Sequence, residues 1–433
     1  MLSSGLLGFL PIILVFILYF SGMPVAFALF SASLLYFGVI NTSSPVDLIF
    51  QKFVTSAQSF PLLAIPFFVM AGSIMNYAGI SSRLMGFADV LTGHMKGGLA
   101  QSNVLLSLLM GGVSGSANAD AAMECKMLVP EMEKRGYSRG FSAAITAASS
   151  AVTPIIPPGI DLIIYALLAK VSVAKMFAAA YLPGFVIATC LMIAVHFISI
   201  KRGYAPTRDK RASAKEIAKQ CGESLWALLF PLGIVLGIRA GIFTPTEAGA
   251  FAVVYCTLVG AFIYKGLKWE HIPKIFIETI NGTATVVLVI VAASVFGYYM
   301  TWENIPKMLA TMLLNITSNK WVMLMLVNVL LLVMGMFIEG GAALIIVAPL
   351  LIPVVTQLGI DPIHFGAMCI VNIMIGGLTP PFGSMMFTCM SITGCKLDEF
   401  VKEVIPFIIA EIIGLLLVTF IPAISLLLPE LIW

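Results

Sequence analysis

Charged side chains are scarce in this chain. Asp, Glu, Lys and Arg make up 10% of its 433 residues, while 60% are apolar. A soluble domain carries about 25% charged and roughly 45–50% apolar residues. Several soluble domains would fit the length, but none could hide this much apolar surface from water. A soluble globular fold is excluded, and so is disorder, which needs the opposite composition. Net charge is also lacking. Twenty-four Lys+Arg against 21 Asp+Glu leave +3, too little to suggest a nucleic-acid partner, and the basic residues are not interleaved with stacking aromatics. No C-x-x-C pair occurs among Cys125, Cys190, Cys221, Cys256, Cys369, Cys389 and Cys395. Most lie in apolar runs and read as small buried hydrophobes rather than a metal or redox site. The first apolar segment has neither a basic n-region nor a clear A-x-A site after it, so it reads as a retained anchor. The solvent for most of this chain is lipid.

About 20 apolar residues cross the hydrocarbon core as a helix. Segments near 5–22, 25–40, 61–78, 177–200, 225–240, 246–264, 283–300 and 404–428 qualify. Two more, 141–170 and 363–393, are apolar but interrupted by proline and glycine, and read as broken spans. Segments 98–129 and 321–355 are too long for one span and have glycine-rich polar centres, which predicts re-entrant helical hairpins. The one long polar stretch, Lys201–Glu223, holds seven Lys/Arg and is cytoplasmic by the positive-inside rule. Counting spans outward from it puts both termini on the far, periplasmic side, with 18 basic residues inside and 6 outside.

The basic stretch separates two halves with the same order of elements. Pro130 and Pro353, Pro157 and Pro380, and Pro183 and Pro406 are each 223 residues apart, as are Phe177 and Phe400. Five spans is an odd number, so the second half must be inverted relative to the first. The expected fold is therefore an all-α polytopic membrane protein of two inverted repeats, each with five spans, one of them broken, plus one re-entrant helical hairpin. The first repeat covers 1–200, with scaffold spans in 1–78, the hairpin at 98–129 and the broken span at 141–170. A basic cytoplasmic linker at 201–224 leads to the second repeat at 225–433, with scaffold spans in 225–300, the hairpin at 321–355 and the broken span at 363–393. Inverted repeats with discontinuous helices are the signature of secondary transporters, whose binding site lies at the repeat interface.

Four segments are unable to stay helical at membrane depth: Gly111–Asp120, Thr153–Gly159, Gly335–Gly341 and Gly376–Gly383. Their freed backbone groups must face protein, water or a ligand, because lipid satisfies none of them. Half-helix N-termini suit a carboxylate, and exposed carbonyls suit a small cation. Hydroxyls and amides gather at the same places: Ser114, Ser116 and Asn118 in the first hairpin, Ser149, Ser150 and Thr153 before the first break, and Thr379 and Ser384 around the second. Taken singly, each reads as a helix-packing residue; as recurring clusters they suit a hard cation such as Na⁺, and they lack the sulfur and imidazole that attract a transition metal. Ionisable residues at depth are costly and usually functional. Asp120 and Glu339 are the carboxylate candidates for a cation site. Glu124 and Lys126 read as interfacial or mutually paired, Asp161, Glu247 and Glu411 as structural, and His196 as a packing histidine.

Taken together, GGVSGSANADAAM (111–123), TPIIPPG (153–159) and GGLTPPFG (376–383) closely resemble the large membrane subunit of tripartite ATP-independent periplasmic (TRAP) transporters, over essentially the whole chain. The resemblance implies an elevator-type ion-transporter fold in the bacterial inner membrane that imports a small organic acid on a Na⁺ gradient. It also implies substrate delivery by a periplasmic binding protein and a separate small four-helix membrane subunit, with no cofactor beyond Na⁺ as coupling ion. Sialic or other sugar acids and C4-dicarboxylates are the substrates implied. The cation residues implied are Ser114, Asn118, Asp120, Ser149, Ser150 and Thr153 in one half, and Gly335, Glu339, Gly340, Gly376, Gly377 and Thr379 in the other. Ser116, Pro157, Gly159, Pro381 and Ser384 would meet the substrate. No arginine falls at a break, so backbone amides and hydroxyls would have to hold its carboxylate. Two rival readings exist. Broken helices also line passive channels, and Gly112-Val-Ser-Gly115 matches the G-x-S-G pattern of intramembrane serine proteases, with Ser114 as nucleophile and His196 as base. The protease reading leaves the repeat unexplained, so the chain is not expected to be an enzyme.

Overall fold

A computed structural model describes residues 2–41, 46–112, 115–317 and 319–433, and all regular structure among them is helical. The first ten α-helices are α1 (Leu2–Phe20), α2 (Val25–Leu35), α3 (Asp47–Ala57), α4 (Ala64–Tyr77), α5 (Ile80–Thr92), α6 (Gly98–Met110), α7 (Ala117–Lys134), α8 (Arg139–Ser150), α9 (Ile160–Ala169) and α10 (Val173–Arg202). The next ten are α11 (Ala214–Arg239), α12 (Pro245–Leu258), α13 (Ile272–Trp302), α14 (Ile305–Ile316), α15 (Lys320–Phe337), α16 (Gly340–Gln357), α17 (Pro362–Leu378), α18 (Ser384–Thr393), α19 (Leu397–Phe420) and α20 (Ala423–Ile432). Helix is the form that satisfies its own backbone in lipid. Where the ends meet water, side chains take over. Thr244 and Ser213 form capping boxes with Glu247 and Glu216, and Asp361 and Asn319 accept from the first amides of α17 and α15. Glu247 thus has the structural role expected of it.

Helix boundaries recur along the chain. α7 and α16 start and end 223 residues apart, and π-helical turns at Tyr36–Ile40 and Val259–Ile263 share that spacing. Phe177 and Phe400 are both fully buried, and both double prolines, Pro157-Pro158 and Pro380-Pro381, are cis. Two exceptions break the pattern: the 31-residue α13 is matched in the first half by two helices, α3 and α4, parted at 58–63, and the 30-residue α10 is matched in the second half by α19 and α20.

Several expected spans differ from the observed helices. Among the described residues seven helices are long and apolar enough to cross a membrane, or up to nine if each of two bent pairs is counted as one span. The expected span 61–78 is the 14-residue α4, which joins α5 at a 71° bend. The expected broken span 141–170 is the other pair, bent by 46°. The final span, 404–428, is two elements, because α19 ends at Phe420 and α20 begins at Ala423. The basic linker is shorter than its charge suggested. α10 runs to Arg202 and α11 starts at Ala214, since Lys and Arg are good helix formers and neither needs to leave a helix to reach water. The irregular remainder is clamped onto the α5–α6 turn: Asp89 accepts from Thr207 (2.6 Å) and pairs with Arg208 (3.0 Å).

Candidate functional site: a cavity between two helix-pair tips

A cavity of about 150 Å³ lies where four helices begin. Ser116, Ala117 and Asn118 line it from the start of α7, and Ile160 and Asp161 from the start of α9. Glu339, Gly340 and Gly341 come from the start of α16, and Ser384 and Met385 from that of α18. Thr285, Val286 and Val289 of α13 close one side. Gly115, at φ +62°, makes the turn into α7 in a backbone region that side chains avoid. α7 packs against α18 and α9 against α16, so the four starts form two walls.

The walls differ chemically. Asp161, in the first turn of α9, and Glu339, at the N-cap of α16, make one wall acidic. A Cβ on Gly341 would lie 3.1 Å from Asp161 Oδ1, so glycine there lets the carboxylate reach the amide end of α16. The opposite wall offers Ser116, Asn118 and Ser384, and Asn118 Oδ1 is buried with no hydrogen-bond partner among the described residues. Positions 116 and 339, and 161 and 384, are each 223 apart. The two carboxylates therefore stand where the other half has serine. No Lys, Arg or His is among the described residues lining the cavity.

Behind the first tip lies a second, fully buried polar cluster. Ser107 donates to both oxygens of Glu124 at 2.9 Å, and Ser149 and Ser150 lie 3.5 and 3.4 Å from Oε2. Asn103 donates to Thr146 (2.8 Å) and accepts from Ser149 (3.1 Å), while the Thr153 hydroxyl donates to the Ser107 carbonyl (3.3 Å). Asp120, one turn before Glu124 on α7, is also fully buried. The corresponding region of the second half holds amides: Asn372 donates to Asn328 Oδ1 (2.7 Å) and Asn328 to Thr419 (3.0 Å). There α15 and α17 approach through glycine, and a Cβ on Gly376 would lie 2.6 Å from the Gly335 Cα.

Of the expected site residues, Ser116, Asn118, Glu339, Gly340, Gly377 and Ser384 meet in the cavity. Ser149, Ser150 and Thr153 face the buried cluster instead, and Thr379 bonds its own helix at the Ile375 carbonyl (2.7 Å). Gly335 and Gly376 form the helix crossing. Pro157, Gly159 and Pro381 are not among the lining residues, and Pro154 is. Ser114 lies outside the described residues, and His196 has its Nδ1 buried without a hydrogen-bond partner among the described residues. Two residues read otherwise from the sequence belong here. Asp161, taken as structural, lines the cavity, and its 223-residue match to Ser384 was the signal that could have found it. Glu124, taken as interfacial or paired with Lys126, is fully buried among serines, a placement that only the packing of α6, α7 and α8 reveals.

This architecture has relatives. Residues 12–424 match the family described as the tripartite ATP-independent periplasmic transporter, DctM component. The chain belongs to that family. It is 39% identical over 414 residues to the sialic acid TRAP transporter large permease protein SiaM of Vibrio cholerae, covering 96% of each chain. It is 35% identical to the C4-dicarboxylate TRAP transporter large permease protein DctM of Pseudomonas aeruginosa, covering 88% of each. The YdaH transporter of Alcanivorax borkumensis has the same fold, with a TM-score of 0.63 at 15% identity, over 89% of this chain and 88% of that one. The protein is thus a multi-pass TRAP large membrane subunit, and the relatives it resembles are named as permeases.

Proposed function

We propose that this subunit imports a small organic acid across the bacterial inner membrane on a Na⁺ gradient, with the cavity between the α7 and α16 tips as the substrate site. The observation that carries the reading is the convergence of four helix starts from both halves on one cavity, where Ser116, Asn118, Asp161, Glu339 and Ser384 stand among apolar side chains. Helix N-termini supply partial positive charge without a basic side chain, which suits an acid in a site that has no arginine. The family adds a periplasmic binding protein that delivers substrate and a small membrane subunit. Sialic and C4-dicarboxylic acids, carried by the named relatives, are the substrate types to test first. The two halves form inverted repeats, with both termini periplasmic. The α6–α9 and α15–α18 elements move together as an elevator against the remaining helices.

Na⁺ is held near the two breaks by the oxygens of Ser114, Asn118, Asp120, Ser149, Ser150 and Thr153 and by those of Gly335, Gly340, Gly376, Gly377 and Thr379, while Glu339, expected among them, lines the cavity and faces the substrate. The test is uptake into proteoliposomes holding this chain and its small subunit, with the binding protein outside. Accumulation is expected only with an inward Na⁺ gradient and the binding protein present. Flux that persists with neither points to a passive channel and overturns the reading. Asp120→Ala and Thr379→Ala are expected to raise the half-saturating Na⁺ concentration about tenfold, the equivalent of ~1.4 kcal/mol of lost coordination.

A further inference from the structure

The two walls of the cavity specify a polarity for what it holds. On one wall Asp161 stands in the first turn of α9 and Glu339 at the cap of α16, where the helix field favours an anion, and neither side chain caps a backbone amide. On the facing wall, α7 and α18 begin at Ser116 and Ser384, with no carboxylate among the described residues lining the cavity there. An incoming carboxylate or sulfonate is drawn to the serine wall, where amides and hydroxyls can donate to it. At the acidic wall it would meet like charge, with no Lys, Arg or His among the described lining residues to offset it. A dianion has to put its second charge against Asp161 or Glu339. A substrate with a cationic end relieves both carboxylates at once.

We infer that the substrate is a zwitterionic organic acid, its acid group held at the Ser116–Ser384 wall and its protonated amine held between Asp161 and Glu339. The inference rests on the cavity being the substrate site, as proposed above, and narrows the acid that fits it. The diagonal placement supports it. In each half the position equivalent to a carboxylate is serine, so the two repeats together build a dipolar site that neither builds alone.

The experiment uses this chain purified with its small membrane subunit in lipid nanodiscs, at saturating Na⁺. Thermal unfolding is followed with matched acids that differ only at the far end: taurine against isethionate, β-alanine against 3-hydroxypropionate, and 4-aminobutyrate against succinate. At least one amine-bearing member is expected to stabilise the protein with an affinity tenfold or more above that of its partner. Asp161→Asn and Glu339→Gln, each melting like the parent without ligand, are expected to erase that preference. A panel in which no amine-bearing acid stabilises the protein overturns the inference, as does one in which the hydroxyl or dicarboxylate partners bind as well. So does loss of Na⁺-induced stabilisation in the two variants with the amine preference intact, because the carboxylates would then hold the coupling ion. Failure of the underlying reading looks different: Ser116→Phe and Ser384→Phe, which fill the cavity, would leave binding of every acid unchanged.

Discussion

The two halves share an order of helices but pack their breaks with opposite chemistry. Behind the α7 tip, the end of α8 meets its neighbours through hydroxyls gathered on the Glu124 carboxylate, all of it buried. Behind the α16 tip, α17 meets α15 through bare backbone at Gly335 and Gly376, with an amide pair deeper in. Position 376 corresponds to Thr153, and position 372 to Ser149, at the 223-residue spacing. A polar junction exchanges partners at modest cost if every donor keeps an acceptor, whereas a glycine junction has a steric limit and no alternative. The first junction can therefore rearrange its hydrogen bonds. The second has the properties of a rigid bearing.

The largest effect is expected at the bearing. A methyl group on Gly376 falls 2.6 Å from the Gly335 Cα and 2.7 Å from its carbonyl carbon, backbone that no rotamer change can move. Gly376→Ala should cost about 3 kcal/mol or more, the upper range for overpacking, and Gly376→Val should yield no folded protein. Thr153→Ala, at the matching position, loses one side-chain hydrogen bond and should cost about 1 kcal/mol. Thermal unfolding of the two alanine variants side by side decides the matter: equal melting would remove the distinction between the junctions.

A middle-sized effect is expected at Glu124. Glu124→Ala empties a buried site and withdraws the shared acceptor of Ser107, Ser149 and Ser150, for about 2–3 kcal/mol. The serines limit the loss, because Ser107 can turn to the Asn103 carbonyl, and Ser149 and Ser150 to the Thr146 carbonyl. Glu124→Gln keeps the volume and should stay within about 1 kcal/mol of the parent. A glutamine variant as unstable as the alanine one would mean that the cluster needs the carboxylate itself.

Much of this was legible beforehand, and the misses share causes. The hairpins at 98–129 and 321–355 and the break near Pro157 were marked by proline and glycine where helix cannot continue, and helices do part close to those places. α5 and α14 were missed because span counting finds only long apolar runs. α5 carries Arg83 and Asp89 on 13 residues and lies at 71° to α4. Glu124 was misjudged because its neighbours in sequence, Lys126 and Asp120, are not the groups that bond it; those come from α6 and α8. Asp161 was read as structural, and it does lie in the first turn of a helix, α9. Only the facing start of α16, more than 170 residues later, turns that cap into a cavity wall.

The smallest effect tests whether the two polar clusters are interchangeable. Asn372 donates to the Asn328 carbonyl (3.1 Å) and Oδ1 (2.7 Å), but its own Oδ1 is buried without a partner among the described residues, so its net contribution is already reduced. Serine at 372 is what the first half uses at 149, where the hydroxyl turns back to the carbonyl three residues earlier at 3.1 Å. Asn372→Ser can do the same on α17, leaving Asn328 Oδ1 short of a donor, and should cost about 1 kcal/mol. The reverse change, Ser149→Asn, puts extra atoms into a fully buried site beside Glu124 and should cost about 2 kcal/mol by overpacking. Unfolding midpoints for the pair give the asymmetry directly. Equal costs would show that the second cluster is packed as tightly as the first, and that the difference between the halves resides in the glycine crossing and the carboxylate alone.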